Sequence, residues 1–520
     1  MGNRKVLLPI IYNPLPITFP MTPEQLQFLF PNAELYPQSV QTVESDTYVF
    51  VKDGRQHYLA IVFDPNDLNA ARGGFTGDVQ QVRDDLAIKW CLPSFANSVK
   101  LREIFPWTAP QPLGLKKSFG CGDRMGLAAS AHIRAARSLD EKGIGLILAQ
   151  QSIREMTRTQ RTPAEVLNAA TWGVFQENYR EPWGADADHL KTEEDIRNLV
   201  EAGFTFFTID PSDVVDDDAA KYNTEELEVK FHELENHAEL TSHYAGQEFE
   251  LEHGDQILRI AFTPGTLEHA AVKYERAVAH TVAIAKVLSE VKSDGYDLEM
   301  SVDETESPTS VAEHYFVANE LKRRGVKLTS LALRFIGEFQ KGIDYIGDLD
   351  KFEASLKEHL IIAQELGPYK ISVHSGSDKY SVYPICGRVL GDLIHVKTAG
   401  TWYLEALRAV ARVDPNFFRE ICDFSSVRFE KDRATYHVID NLDDLPDYRS
   451  CADSELEHTL DNNTMRQMLH VTFGSVLTDK TANGGWRFRS RLYQLWETNE
   501  AVHLGIVEEY SRKHMETLGW

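Results

Sequence analysis

The 520-residue chain has only five cysteines, Cys91, Cys121, Cys386, Cys422 and Cys451, and no two form a C-x-x-C pair. That scatter offers neither a zinc–thiolate knuckle nor a disulfide framework, and it suits a reducing compartment, so a cytoplasmic location is expected. No apolar run reaches the ~18 residues that a membrane-spanning helix needs. Basic residues are in short supply: 54 Lys and Arg stand against 79 Asp and Glu, a formal charge of −25. Such a surface repels nucleic acid phosphates and anionic membranes, which removes both as main partners. Near the start, Val6–Tyr12 is apolar, but Pro9 breaks it, Pro14 and Pro16 follow, and no small-residue cleavage site comes after. No signal peptide is therefore expected. Also missing are a G-x-G-x-x-G dinucleotide loop, a P-loop Gly-Lys-Ser/Thr and an H-E-x-x-H helix. With 42% hydrophobic and 26% charged residues the chain reads as globular, not disordered.

What is present is a rhythm. Residues 1–110 read as a mixed α/β extension, in which Thr47–Lys52 and Gln56–Phe63 alternate like a hairpin around Asp53-Gly54. From about residue 112, short strand-like runs alternate with amphipathic helical segments. The runs are Gly114–Gly120, Ile144–Gln151, Pro182–His189, Phe204–Asp210, Tyr296–Asp303, Lys327–Phe335, Tyr369–His374 and Leu393–Lys397. Gly143, Gly203, Gly325 and Gly367 fall where helix C-caps would precede a strand. Eight β-then-α units close a (β/α)₈ TIM-type barrel, an α/β fold, over 111–414. The competing doubly wound open sheet is weakened by the missing nucleotide loop after the first strand. An acidic, helix-rich insertion at about 212–266 follows the fourth strand, either as a lid or as a decoration or oligomer contact. Residues 415–520 read as a mostly helical extension. A homo-oligomer is compatible with the chain, and nothing in it specifies one.

In a barrel the chemistry sits at the C-terminal ends of the strands. All eight ends here carry polar or ionisable groups, among them Asp123 and Arg124, His189, Asp210, Asp303 and Glu304, Arg334, His374 and Lys379, and His395 with Lys397. The two-residue side-chain period sharpens the placement. If Ile371 and Val373 face the helices, His374 points into the mouth. By the same count His395 and Lys397 point inward, as do Glu299, Ser301 and Asp303, with Glu304 at the rim. Carboxylates and imidazoles converging on one mouth suit a divalent cation such as Zn²⁺ or Mn²⁺. The ligand candidates are His189, Asp303 or Glu304, and His374; each His taken alone would more often be a hydrogen-bonded core residue. Gly120–Gly126 opens a helix and offers amides to an anion, or is a plain β–α turn. Asp123 is a general-base candidate or a helix cap. Arg124, Arg334, Lys379 and Lys397 would supply the positive field that an anionic substrate needs on so acidic a protein, with His395 beside them. Lys397 also stands where a Schiff-base lysine would, a reading that competes with the metal.

Six segments share a pattern with a known family: Ser118–Gly126, Asp186–Thr192, Phe204–Ser212, Ser301–Thr305, His374–Lys379 and His395–Gly400. One falls at each of six strand ends, in order over 118–400, and together they resemble the tagaturonate epimerases. The resemblance implies a metal-dependent epimerase of hexuronate catabolism that interconverts D-tagaturonate and D-fructuronate, a small sugar acid pair. It further implies Asp123 as proton acceptor, Glu304 as proton donor, and His189 and His374 among the metal ligands. The carbon inverted in that reaction is β to the ketone, so its hydrogen is not acidic and simple deprotonation does not epimerise it. A retro-aldol and aldol sequence would. The alternatives are a metal-dependent ketose 3-epimerase, isomerase or aldolase on an unphosphorylated sugar, and a non-catalytic carbohydrate-binding barrel.

Overall fold

The structure, a computed structural model, describes residues 21–67, 71–139, 143–254, 256–398 and 400–520. The Val6–Tyr12 stretch, and with it the signal-peptide question, lies outside the described residues, as does Ala399. Among the described residues no helix is long and apolar enough to cross a membrane, and all five cysteines are unpaired.

Eight parallel strands close a barrel: Ser118–Gly122, Gly145–Ser152, Trp183–Leu190, Phe206–Ile209, Asp297–Ser301, Ser330–Ala332, Lys370–Val373 and Ile394–Thr398. Each pairs with the next in sequence, and the last returns to the first through His395 opposite Ser118. Every run read from the sequence overlaps one of these strands. The first starts later and runs further than its pattern suggested, because Leu113 and Gly114 are drawn aside by backbone bonds to the Asp297 carboxylate. Outward residues such as Leu298, Met300, Ile371, Val373, Ile394 and Val396 are buried against the surrounding helices. The inward set is polar, as the period of two requires.

Local signals set the helix ends. Thr192 caps Glu193–Ala202 in a reciprocal bond pair with Asp195, and Gly203 ends that helix in the left-handed region at φ 100°. Ser310 and Glu313 do the same for the start of Val311–Arg323. Gly143 is not a cap: the helix before it ends at Arg137, with Ser138 closing it.

The N-terminal part is a six-stranded sheet whose central hairpin, Asp46–Asp53 with Gln56–Phe63, pairs as the alternation predicts. One face packs Tyr48, Phe50 and Ile61 against Trp172 and Phe175 of the barrel helix Pro163–Gln176. The segment after the fourth strand holds helices Thr224–His232 and His237–Tyr244 and a hairpin, Glu248–His253 with Gln256–Ala261. Its first hairpin strand alternates exposed glutamates with Phe249 and Leu251, a period-of-two signal that the acidic, helix-rich reading of this segment passed over. The body of this segment leans on the outer helices, Tyr244 donating to Glu320 at 2.7 Å. Its entry reaches the loop after the fifth strand, where Lys221 pairs with Glu306 at 2.9 Å. Residues 415–520 add helices Pro415–Asp432, Asn463–Thr478, Arg489–Thr498 and Glu500–Thr517.

Candidate active site

The strand ends converge on a charged, buried mouth. Lys397, inward on the last strand, places Nζ 2.8 Å from Asp186 and 2.9 Å from both Asp188 and Glu299, and it also donates to Thr208. Burial works against this ammonium, but the three carboxylates outweigh it and hold its pKa well above the lysine range. Lys397 is thus a fixed cation at the centre of the mouth, poorly suited to imine formation. Burial pushes Asp186 up to about 7 against the pull of Lys397. Glu299 also pays desolvation, yet Lys397 and His374 keep it well below the usual carboxylate range.

His374 lies between two carboxylates, with Nε2 2.7 Å from Glu299 and Nδ1 3.1 Å from Asp303. Burial opposes its charge, but these neighbours raise it to about 9. His189 reaches the mouth through an irregularity. Ala187 pairs with Phe207 and Leu190 with Ile209, so Asp188 and His189 together oppose Thr208, and His189 takes φ 55°. This bulge turns both side chains toward the mouth where strict alternation would send one away. His189 Nδ1 lies 3.2 Å from Asp210, and its ring stands edge-on to His374 at 5.4 Å. Burial opposes its charge too, and Asp188 and Asp210 lift it to about 10.

Two donor sets fit a metal ion. The donor atoms of Asp188, His189 and His374 lie within 4.8 Å of one another, and so do those of His189, Asp210 and Glu304. Two imidazoles with a carboxylate form a donor set typical of Zn²⁺ or Mn²⁺. The surrounding carboxylates now hold two imidazoliums, positive charge that a divalent cation would replace. Asp303 belongs to neither set; it bonds His374 at Nδ1, where a carboxylate orients a ligating imidazole.

Two connected chambers open onto these groups. The inner, about 50 Å³, is lined by Asp188, His189, His374 and Lys397 together with Arg124. The outer, about 570 Å³, is lined by Asp303, Glu304, Arg334 and Glu338. Arg154, Lys341, His374, Ser375 and Tyr436 border both. Glu304 sits at the rim, about one-third exposed, paired with Arg154 at 3.0 Å.

The structure therefore brings His189, Asp303, Glu304, His374, Arg124, Arg334 and Lys397 to one mouth. Arg124 is fixed by Glu155 at 2.8 Å and lies 3.5 Å over the Phe473 ring. Gly400, at φ 79°, leaves it room, since a Cβ there would come within 2.3 Å of the guanidinium. Arg334 donates to the carbonyls of Phe335 and Gly337 at 2.7 and 2.8 Å, so its own loop already engages it.

Three candidates stand apart. Asp123 accepts from the amides of Met125, Gly126 and Ala128 at 3.0, 2.7 and 2.7 Å, which shapes the loop behind Arg124. Lys379 donates to the carbonyls of Gln340, Ile343 and Ser377, and burial pulls it down to about 7. His395 lies a layer deeper, 2.9 Å from Ser118 Oγ, and burial holds it well below the histidine range. Sequence reasoning passed over Asp188 and Glu299 as site residues, although the period of two already marked Glu299 as inward. It also missed Arg154, Lys341, Tyr436 and His470. The last two come from the C-terminal extension, and no local pattern ties them to the barrel.

Fold and site define a barrel enzyme with a polar mouth able to hold a cation and an anionic substrate. The chain belongs to the tagaturonate epimerase family, whose model matches residues 36–518, and it is a carbohydrate epimerase of the isomerase class. A tagaturonate/fructuronate epimerase of Thermotoga maritima is 41% identical over 485 residues, covering 93% of this chain and 97% of that protein. The native crystal structure of fructuronate-tagaturonate epimerase UxaE from Cohnella laeviribosi is 36% identical with a TM-score of 0.89, covering 95% of this chain and 98% of that one. A one-glycerol complex of the same enzyme is 35% identical with the same TM-score and coverage.

Proposed function

We propose that this chain interconverts D-tagaturonate and D-fructuronate in hexuronate catabolism, in the cytoplasm, with a bound Zn²⁺ or Mn²⁺. The observation that carries the reading is the Asp188–His189–His374 donor set beside a basic chamber wall of Arg124, Arg154 and Lys341, in a chain so similar to named epimerases of that pair. Asp188, His189 and His374 would hold the ion, which would supply Lewis acidity where the ketone oxygen gains negative charge. Arg124, Arg154 and Lys341 neutralise the substrate carboxylate and oppose the field of the acidic surface.

The epimerisation runs as retro-aldol and aldol. A carboxylate at the outer chamber, Asp303 or Glu304, takes the proton from the hydroxyl on the carbon β to the ketone. The bond between that carbon and its neighbour breaks, leaving an aldehyde fragment and an enediolate. The aldehyde turns its other face, the bond re-forms, and the proton returns to the new alkoxide. Lys397 keeps Asp188 and Glu299 ionised and holds them with Asp186 around one cation. The test is to add isotopically labelled aldehyde fragment during turnover and analyse the hexuronates. Label in product supports cleavage; no incorporation, with nicotinamide released from denatured enzyme, contradicts it.

A further inference from the structure

The Asp123–Ala128 loop has two faces. Arg124 lines the inner catalytic chamber, whereas Met125, Gly126 and Leu127 line a separate cleft of about 370 Å³. That cleft lies where the N-terminal sheet, helix Pro163–Gln176 and the two last helices of the chain meet.

At the loop end stand two guanidinium groups. Arg161, buried, donates to the carbonyls of Asp123 at 2.6 Å and Glu165 at 3.2 Å. Gly126, at φ 78°, admits it, since a Cβ there would lie 2.7 Å from its terminal nitrogen. Arg489 donates to the Thr159 carbonyl at 3.1 Å and lies beside Tyr493. Among the described residues neither guanidinium has a carboxylate oxygen within 4.0 Å. On a chain with a formal charge of −25, two such cations facing one cleft are matched to an anion.

The other end is acidic. Glu500 is taken up by Lys52 and His57, while Glu497 remains among the lining groups. Among the lining groups, His503 is 1% exposed, its Nε2 has no hydrogen-bond partner, and its ring stacks on Trp496 at 5.8 Å. A buried polar nitrogen left unsatisfied is costly, and a ligand hydroxyl would satisfy it.

We propose that this cleft binds a small sugar acid in its closed-ring form. The carboxylate sits on Arg161 and Arg489, and hydroxyls reach His503 and Glu497. Occupancy is transmitted to Arg124 through the shared loop, where Arg161 holds the Asp123 carbonyl and Tyr493 donates to the Met125 carbonyl at 2.8 Å. The cleft thereby regulates the catalytic mouth without touching it.

The test uses methyl β-D-glucuronide, whose locked ring offers the catalytic site no carbonyl. Titration calorimetry on the full-length enzyme is expected to show one saturable site. Arg489→Gln removes one charge-assisted contact and should weaken binding about tenfold, while leaving activity without glycoside unchanged. Saturating glycoside should shift the KM for D-tagaturonate by about twofold or more in the wild type, and not in Arg489→Gln. Absent saturable binding, indifference to Arg489→Gln, competitive displacement by D-tagaturonate, or an unmoved KM overturns the proposal. The calorimetric arm requires no turnover, so its outcome is separate from that of the substrate reading.

Discussion

Replacing Lys397 by methionine removes one buried positive charge and keeps most of the side chain's volume. Asp186, Asp188 and Glu299, now 2.8 to 2.9 Å from Nζ, lose their common partner. Removing one partner of a buried ion pair costs about 3–5 kcal/mol, because the charge left behind stays desolvated. Part of that cost is relieved by protonation, since Asp186 stands at about 7 even with Lys397 present. We expect a loss of about 3 kcal/mol at pH 8, the lower end of that range. A chain of 520 residues unfolds with roughly 1.1 kcal/mol per kelvin, so Tm should fall by about 3 °C. The pH dependence has a definite sign. A carboxyl whose folded pKa lies above its unfolded value of about 4 destabilises the fold fully above the folded value, and that penalty shrinks as pH falls from the folded value toward the unfolded one. The gap between variant and wild type is therefore widest above pH 7 and narrows toward pH 5. Scanning calorimetry at pH 5.5 and 8.5 reads both quantities. An unchanged Tm, or a gap that ignores pH, would refute the assignment of Lys397 as the cation that neutralises the mouth.

Alanine at His189 or His374 should strip bound metal, measured by elemental analysis. Glu304→Gln should keep the metal and lower kcat by about 10²–10⁴-fold, the range for a lost proton-transfer group. Metal affinity should strengthen with pH, because His374 at about 9 and His189 at about 10 must each release a proton to bind. Two protons give about a 100-fold change in Kd per pH unit between pH 6 and 8, and a flat profile in a chelator competition would contradict it. Asp123→Ala removes the acceptor of three backbone amides and should cost about 3 kcal/mol in a denaturant titration, with metal content unchanged.

The barrel was legible because its signals are local. Strand by strand, apolar residues alternate with the groups that face the mouth, and capping pairs such as Thr192 with Asp195 mark where helices begin. The same period placed His374 and Lys397 inward correctly. It does not account for His189, which enters the site through a bulge that breaks the period. Lys379 misled for the opposite reason: its strand-end position is right, but the carbonyls of a neighbouring loop capture its ammonium. Asp123 reads in the sequence as a general base or a helix cap. Its carboxylate instead accepts from the loop amides of Met125 and Gly126 and from Ala128, the residue before the helix, so it orders the loop and does not cap the helix itself. Tyr436 and His470 were out of reach, because their approach to the chambers depends on how the C-terminal helices fold back.

The most direct measurement is ¹³C NMR of the purified protein with D-tagaturonate, before and after EDTA treatment and again after adding Zn²⁺ or Mn²⁺. D-fructuronate is expected to appear, to stop appearing on chelation and to return with the metal. No D-fructuronate under any metal, or conversion indifferent to complete metal removal, would contradict metal-dependent epimerisation.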